Sequence, residues 1–167
     1  QNKLHSKFYQ ADDGYLYFTS FDEQGESGKK GILPIHGGHI WRKKPDALNW
    51  EHIRASKEAL IAVNTDGRFV YALGYWGHVL YQYDTQAQVT NQIRVGAING
   101  HISRNFLVSQ NGHVFVPKVE TSANNTLIVN LNEYDSAINL VASLPLEYYL
   151  YDNKNSKDTI VYQHEKC

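Results

Sequence analysis

Methionine and cysteine are almost missing from this sequence. Its 167 residues include no methionine, four prolines and one cysteine, Cys167, which is the last residue. A single thiol cannot close an intramolecular disulfide or build a zinc site from thiolates. Because the chain starts at Gln1 without an initiator methionine, we expect a processed product or part of a longer chain.

An excess of charge of one sign and long apolar runs are missing as well. Lys and Arg total 16 against 17 Asp and Glu, which leaves a net charge of −1. A general nucleic-acid binder needs a basic surface, so we expect no nucleic-acid partner. No apolar run reaches the length of a membrane-spanning helix, so we expect no membrane span in this segment. Hydrophobic residues still make up 42% of the chain, which is enough for a packed core.

Aromatic residues, in contrast, are abundant. The chain has 12 Tyr, 6 Phe and 3 Trp, many of them next to β-branched residues, and both kinds favour strands. Three segments share a turn dipeptide followed by an alternating run: Asp13-Gly14, Asp66-Gly67 and Asn111-Gly112. Such dipeptides are typical of two-residue type I′ hairpin turns. The three glycines are 53 and then 45 positions apart, and another strand-like run begins at Asp158, where a fourth copy is due.

Each repeat unit is predicted to contain four short strands. The predicted strands are residues 8–11, 15–22, 39–44 and 50–55; then 60–64, 68–75, 78–84 and 91–95; then 106–110, 113–120, 126–135 and 138–144. This period predicts an all-β protein of repeated four-stranded antiparallel sheets, with units at 8–55, 60–95 and 106–144 and the start of a fourth at 148–167. Residues 46–60 could instead form a helix capped by Asp46. Pro117, inside a predicted strand, indicates a bulge or a sheet edge.

Two further marks accompany the third strand of a unit. Gly38-His39 and Gly77-His78 are predicted to open it, and Tyr83-Asp84 and Tyr134-Asp135 to close it. With these marks the sequence resembles the β-propeller superfamily, in particular blades of the kelch, quinoprotein and regulator-propeller kinds.

The resemblance implies a partial β-propeller of about three and a half blades. One unit carries a kelch-like set, namely Gly37-Gly38 followed by Trp41, Pro45 and Trp50-Glu51-His52-Ile53. The other units lack the double glycine and the tryptophan, and no Trp-Asp ending or Asp-box is present. Since a propeller usually closes with about four to eight blades, we expect a longer chain or self-association to complete the ring.

The resemblance also implies where functional loops lie. In propellers, the loops between the second and third strands and those between blades emerge on one face around the channel. The ligand-binding candidates that this face would hold are Tyr75, Trp76, Asn99 and Arg104, and the metal-ligand candidates are His36, His39, His78 and His101.

Two interpretations of these histidines stay open. They could converge on a divalent metal ion, because imidazole is a common metal ligand. Alternatively, Gly-His only marks the blade, and the imidazole hydrogen-bonds a neighbouring loop. We favour the second interpretation because no His-x-His or His-Glu-x-x-His spacing occurs. Trp76 could stack on a sugar ring, whereas Trp41 and Trp50 are predicted to lie in a sheet core.

We therefore predict a recognition or scaffold module that binds a saccharide, a small polar molecule or a partner protein at the loop-bearing face. A fold does not dictate a function, so two alternatives stay open. One is a metal-dependent polysaccharide lyase or hydrolase, similar to propeller-type oligogalacturonate lyases, in which Arg104 would hold the sugar acid. The other is the extracytoplasmic sensor segment of a signalling protein.

Overall fold

The protein is built from strands. The computed structural model describes residues 2–4, 6–23, 36–75, 79–96, 105–121, 123–124, 127–146, 150–151 and 160–161. These residues form three antiparallel sheets and a short hairpin, and none of them is in a helix. The prediction of an all-β protein with repeated four-stranded antiparallel sheets is confirmed.

Sheet 1 has four strand positions. It consists of β1 (Asn2–Leu4), β2 (Tyr9–Gln10), β3 (Leu16–Glu23), β4 (His36–Lys43) and β5 (Glu51–Ser56). β1 and β2 both pair with β3, one after the other along the same edge, so β1 precedes the first strand predicted from the sequence. Between β1 and β2, the hydroxyl of Ser6 accepts a 2.8 Å hydrogen bond from the backbone N–H of Thr19. This bond replaces the strand pairing that the buried N–H of Thr19 lacks.

Sheets 2 and 3 run in chain order. Sheet 2 consists of β6 (Ala59–Thr65), β7 (Phe69–Tyr75), β8 (Val79–Asp84) and β9 (Val89–Arg94), and sheet 3 of β10 (Leu107–Val108), β11 (Val114–Thr121), β12 (Leu127–Tyr134) and β13 (Leu140–Pro145). A further hairpin pairs β14 (Leu150–Tyr151) with β15 (Ile160–Val161), in the region predicted to begin a fourth unit.

Strand pairing decides two alternatives that the sequence leaves open. β5 and β6 occupy residues 51–56 and 59–65, so the helix over residues 46–60 is wrong. Pro117 pairs with Leu131 in an unbroken register, so β11 has no bulge there. On its other side, β10 pairs only with Val114 and Phe115. Among the described residues, no strand pairs with Pro117 on this side, so it lies at a sheet edge, as predicted, where its missing N–H removes no ladder hydrogen bond.

The glycine of each turn dipeptide adopts the left-handed conformation. Its φ is +78° at Gly14, +106° at Gly67 and +80° at Gly112. The residue before each glycine is not at positive φ, whereas a type I′ turn requires positive φ at both central residues. The predicted type I′ turns are therefore wrong, although the left-handed glycines are confirmed.

Two of these turns are three-residue hairpin loops. The N–H of Gly14 donates to the carbonyl of Ala11 at 2.9 Å, and the N–H of Gly112 donates to the carbonyl of Ser109 at 3.0 Å. A tight turn followed by a left-handed glycine is the usual three-residue connection. Gly67 differs, because it takes the first central position of a two-residue turn, as in type II′.

Sheet 2 lies between sheets 1 and 3 and is buried on both faces. In β7, Val70 and Ala72 contact sheet 1, while Tyr71 and Leu73 contact sheet 3. All four side chains are at most 1% exposed. A strand buried on both faces reads as a continuous apolar run, which explains the sequence of β7. The last strand of each sheet, in contrast, is mostly exposed.

Two apolar interfaces hold the three sheets together. The interface of sheets 1 and 2 contains Ala11, Tyr17, Ile40, Leu60, Val63, Val70, Ala72, Tyr81 and Tyr83, and that of sheets 2 and 3 contains Tyr71, Leu73, Leu80, Val95, Val114, Val116 and Tyr134. The close approach of β4 to β6 requires Gly38, because a Cβ there would lie 2.6 Å from the backbone nitrogen of Leu60.

Candidate functional site

The sheets have two distinct ends, which we call the turn rim and the loop rim. The turn rim holds the three glycine turns, and neighbouring turns touch: the N–H of Asp12 donates a 2.8 Å hydrogen bond to the carbonyl of Gly67. The loop rim is the opposite end, where β3, β7 and β11 end and β4, β8 and β12 begin. Antiparallel pairing therefore places the ends of the second strands and the beginnings of the third strands at the same rim, as the resemblance implies.

Most predicted site residues fall outside the part of the chain that the structure describes. These residues are Trp76, His78, Asn99, His101 and Arg104. His36 begins β4 and Tyr75 ends β7, so both lie at the loop rim, although only their backbones are described. Gly38 and His39 lie inside β4, so they do not open the third strand as predicted. The ligand and metal roles of these residues stay predictions.

His39 contacts a histidine that the sequence analysis does not include among its candidates. Its Nδ1 lies 2.9 Å from Nε2 of His52, and the two rings meet edge to face at 4.9 Å. His39 is half-buried and His52 is exposed. The residues are 13 positions apart in sequence, so their contact depends on the pairing of β4 with β5. No local spacing signal could have found it.

The histidine pair lies on the face of sheet 1 that points away from sheet 2. Side chains alternate along a strand, so Tyr17 and Ile40 point into the interface with sheet 2, while Phe18 and Trp41 point to the other side. The ring of Trp41 stacks on Phe18 at 6.5 Å and lies 4.9 Å from the ring of His52.

This aromatic face is partly open. Phe8 and Trp50 extend it and are 51% and 40% exposed, respectively. Trp50 meets Phe18 edge to face at 4.5 Å, and the ammonium of Lys43 lies 5.5 Å from the Trp50 ring. Trp41 is half-buried within this cluster. The prediction that Trp50 lies in a sheet core is wrong, because it sits at the edge of a face that no other described sheet covers.

An acidic side chain also reaches the loop rim. Oε2 of Glu58 accepts a 3.4 Å hydrogen bond from the backbone N–H of Val79, where β8 begins. Gly74 makes room for this carboxylate, since a Cβ there would collide with it. Ser56 anchors the same segment: its hydroxyl lies 2.9 Å from that of Tyr81 and accepts from the N–H of Glu58. Only the packing of sheets 1 and 2 brings Glu58 beside β7 and β8.

The outer face of sheet 3 carries an apolar pocket of about 490 Å³. Its lining consists of Asn105, Phe106, Leu107, Phe115, Pro117 and Leu131. Among the described residues, only the two-residue strand β10 pairs with this edge of β11, which leaves most of β11 uncovered beside the pocket. Leu107 is 59% exposed at its rim. Such a lining suits an apolar group and offers no acid or base.

A polar network near the turn rim joins sheets 1 and 2. The hydroxyl of Tyr17 donates to Asp13 at 2.7 Å, and Arg42 donates to the hydroxyl of Tyr83 at 3.1 Å and to Glu51 at 2.7 Å. Burial and the hydrogen bond to Asp13 raise the pKa of Tyr17 far above its ordinary value. Burial also raises the pKa of Tyr83, although Arg42 opposes this shift. Both phenols therefore stay neutral and connect the sheets instead of acting as bases.

Within the described ranges, no three His, Cys, Asp or Glu side chains are grouped so that they could hold a metal ion together. Among the same residues, the structure has no helix with the length and apolar character needed to cross a membrane. No known family model and no curated protein matches the chain.

Proposed function

We propose that the chain forms consecutive blades of a β-propeller and acts as a recognition module that binds a saccharide or a small polar ligand at the loop rim. The sheets support the fold part of this proposal, because each has four antiparallel strand positions and sheet 2 packs face to face on both neighbours. The function part rests on the chemistry available at the loop rim.

One observation carries the propeller arrangement, namely the contact that recurs between turns of neighbouring sheets. A Cβ at Gly67 would lie 2.5 Å from the carboxylate of Asp12, and a Cβ at Gly112 would lie 3.1 Å from the carboxylate of Asp66. An acidic side chain of one sheet therefore lies against the turn glycine of the next, twice in succession. A similar displacement relates each sheet to its neighbour, and repetition of one rotation about an axis generates a propeller.

Burial within sheet 2 decreases from its first strand to its last, as it does from the channel to the outside of a propeller blade. Its first strand, β6, begins with two buried residues, Ala59 and Leu60, whereas its last strand, β9, has no buried residue. In a propeller the first strand of a blade lies near the channel and the last strand lies outside.

The two outer faces of the stack support the presence of further blades. Phe8 and Trp50 are exposed on sheet 1, and Leu107 and Leu144 are more than half exposed on sheet 3. Large open apolar faces favour association. In the proposed ring, further sheets of the same kind cover both faces and come from a longer chain or a second copy.

Ligand binding is proposed at the loop rim because the sequence has two aromatic residues where β7 ends, and an acidic side chain reaches the same rim. Tyr75 ends β7 and is followed in sequence by Trp76. The carboxylate of Glu58 lies against the first residue of β8, next to this connection. Aromatic rings stack on the apolar faces of sugars, and carboxylates accept hydrogen bonds from hydroxyl groups.

Titration calorimetry with a panel of neutral and acidic oligosaccharides tests this function. We expect Trp76→Ala to weaken binding by about tenfold or more, because anchoring tryptophans carry a large share of binding energy. The thermal midpoint should stay unchanged. Trp50→Ala is the matched control, since Trp50 lies on the aromatic face of sheet 1 and should leave binding intact. Equal affinity of the Trp76→Ala variant and the wild type would refute the role of Trp76, and no binding to any oligosaccharide would refute saccharide recognition.

The ring itself is tested separately by sedimentation. Because both outer faces are apolar, this chain alone should associate as its concentration rises. A soluble monomer at all concentrations with a single cooperative unfolding transition would count against the partial ring, whatever the binding experiment shows.

A further inference from the structure

We propose that His39 and His52 form a two-histidine chelating site for a divalent transition metal, Ni(II) or Cu(II), on the open face of sheet 1. The proposal needs only the pairing of β4 with β5 inside one sheet. It does not depend on ligand binding at the loop rim, and it concerns this chain alone, in which no other described sheet covers this face of sheet 1. A further sheet of the proposed ring packed on this face would close the site. It also differs from the metal set predicted from the sequence, because His52 is not part of that set.

A register shift creates the pair. Ile40 pairs with Arg54 and the next residue, Trp41, pairs with His52, so β5 has one extra residue, Ile53, at this point. A bulge of this kind turns the bulged strand and re-aims its side chains. As a result, His52 joins Trp41 and His39 on the same face, where their rings lie within 5.5 Å of one another.

The distance between the two nitrogens matches neighbouring ligands of one metal ion. Nδ1 of His39 and Nε2 of His52 are 2.9 Å apart. Two nitrogens at about 2.0–2.1 Å from a metal are about 2.9 Å apart when they meet at a right angle, and about 3.4 Å apart at a tetrahedral angle. The rings must rotate from the hydrogen-bonded geometry so that both lone pairs point at one ion, and right-angle sites of nitrogen and water ligands are typical of Cu(II) and Ni(II).

Metal binding requires that the proton shared by His39 and His52 leaves the position between their nitrogens. In the hydrogen-bonded pair, one proton lies between the two nitrogens, and either ring can be its donor. On metal binding this proton leaves the shared position and goes to the other nitrogen of the donor ring or to solvent. Nδ1 of His39 and Nε2 of His52 then both present lone pairs to the metal ion, and water fills the remaining coordination positions.

The neighbouring tryptophan supplies a direct readout. The Trp41 ring lies 4.9 Å from the His52 ring and 5.5 Å from the His39 ring. A paramagnetic ion bound between the imidazoles would therefore quench its fluorescence. His113 provides the matched control histidine, since it lies on sheet 3 and pairs with Glu133 at 2.5 Å.

The test is a Ni(II) titration of the chain by calorimetry and by tryptophan fluorescence, in a Cys167→Ser background that removes the thiol. Removal of an outer-shell partner alone lowers metal affinity about 10–100-fold. We therefore expect His39→Ala and His52→Ala each to weaken binding by at least about tenfold and to abolish quenching, while His113→Ala binds one ion as the wild type does. Zn(II) should bind more weakly than Ni(II).

A second variant separates loss of a ligand from loss of the fold. His52→Gln keeps a hydrogen-bonding side chain beside His39 but removes the imidazole, so it should fold with an unchanged circular dichroism spectrum and still fail to quench on Ni(II) addition. Wild-type affinity in the His52→Gln or His52→Ala variant would overturn the site, and so would equal losses in the His113→Ala control.

Discussion

The adjacent glycines of β4 provide a sharp test of how sheets 1 and 2 pack. Gly38 is buried, and a Cβ there would lie 2.6 Å from the backbone nitrogen of Leu60 and 2.8 Å from the carbonyl oxygen of Glu58. Both atoms belong to the backbone, so no rotamer change can relieve the overlap. Sheets 1 and 2 would have to separate locally, which strains the interface around Leu60.

The expected cost follows from overpacking. Insertion of one carbon into a packed core costs about 1–3 kcal/mol. For a chain of this size, each kcal/mol lowers the thermal midpoint by about 2–4 °C. Gly38→Ala should therefore lower the midpoint by several degrees, although alanine is otherwise preferred to glycine inside a strand by about 0.5–1 kcal/mol.

Gly37→Ala is the matched control. A Cβ at Gly37 would lie 3.3 Å from the carbonyl of Ser56 and points to the other side of the strand. A shift of a few tenths of an ångström relieves this contact, so the midpoint should change little or rise. Thermal unfolding followed by far-UV circular dichroism measures both variants. If Gly38→Ala were as stable as the wild type, or less damaging than Gly37→Ala, β4 and β6 would not pack as described.

Two further substitutions test single groups. Arg68, with the N–H groups of Ala87 and Gln86, lowers the pKa of Asp84 to about 2 from an ordinary 3.8. A lowered pKa stabilises the fold only while the carboxylate is charged, so the difference in unfolding free energy between wild type and Asp84→Asn should shrink as the pH falls from 3.8 to about 2. Urea titrations measure this difference, and a constant value over that pH range would contradict the ion pair. The Thr19 hydroxyl is fully buried and has no hydrogen-bond partner among the described residues. Thr19→Val should therefore raise the thermal midpoint by about 2–4 °C, which corresponds to about 1 kcal/mol of unfolding free energy. A lower midpoint would show that the hydroxyl has a partner.

The repeat could be predicted because its signals are local. The left-handed conformation of Gly14, Gly67 and Gly112 follows from the short hairpins that these glycines close. A strand that is buried on one face alternates apolar and polar residues, and a strand that is buried on both faces is a continuous apolar run. The turn type was wrong because Asp13 and Asn111 belong to three-residue loops, whose length depends on the register of the flanking strands. The predicted strands at 50–55 and 60–64 are confirmed, and the alternative helix over residues 46–60 does not form because these residues pair with β4 and β7.

The amino-acid sequence by itself determined the period, the strands and the left-handed glycines, since each depends on residues only a few positions apart. Only the tertiary structure decided that His52 meets His39, that Glu58 lies over Gly74 and that Asp12 lies on Gly67. These contacts join strands or sheets whose residues are 13 or more positions apart. Strand register and sheet stacking set such distances, because they arise from the simultaneous burial of many side chains and not from the chemistry of any one segment.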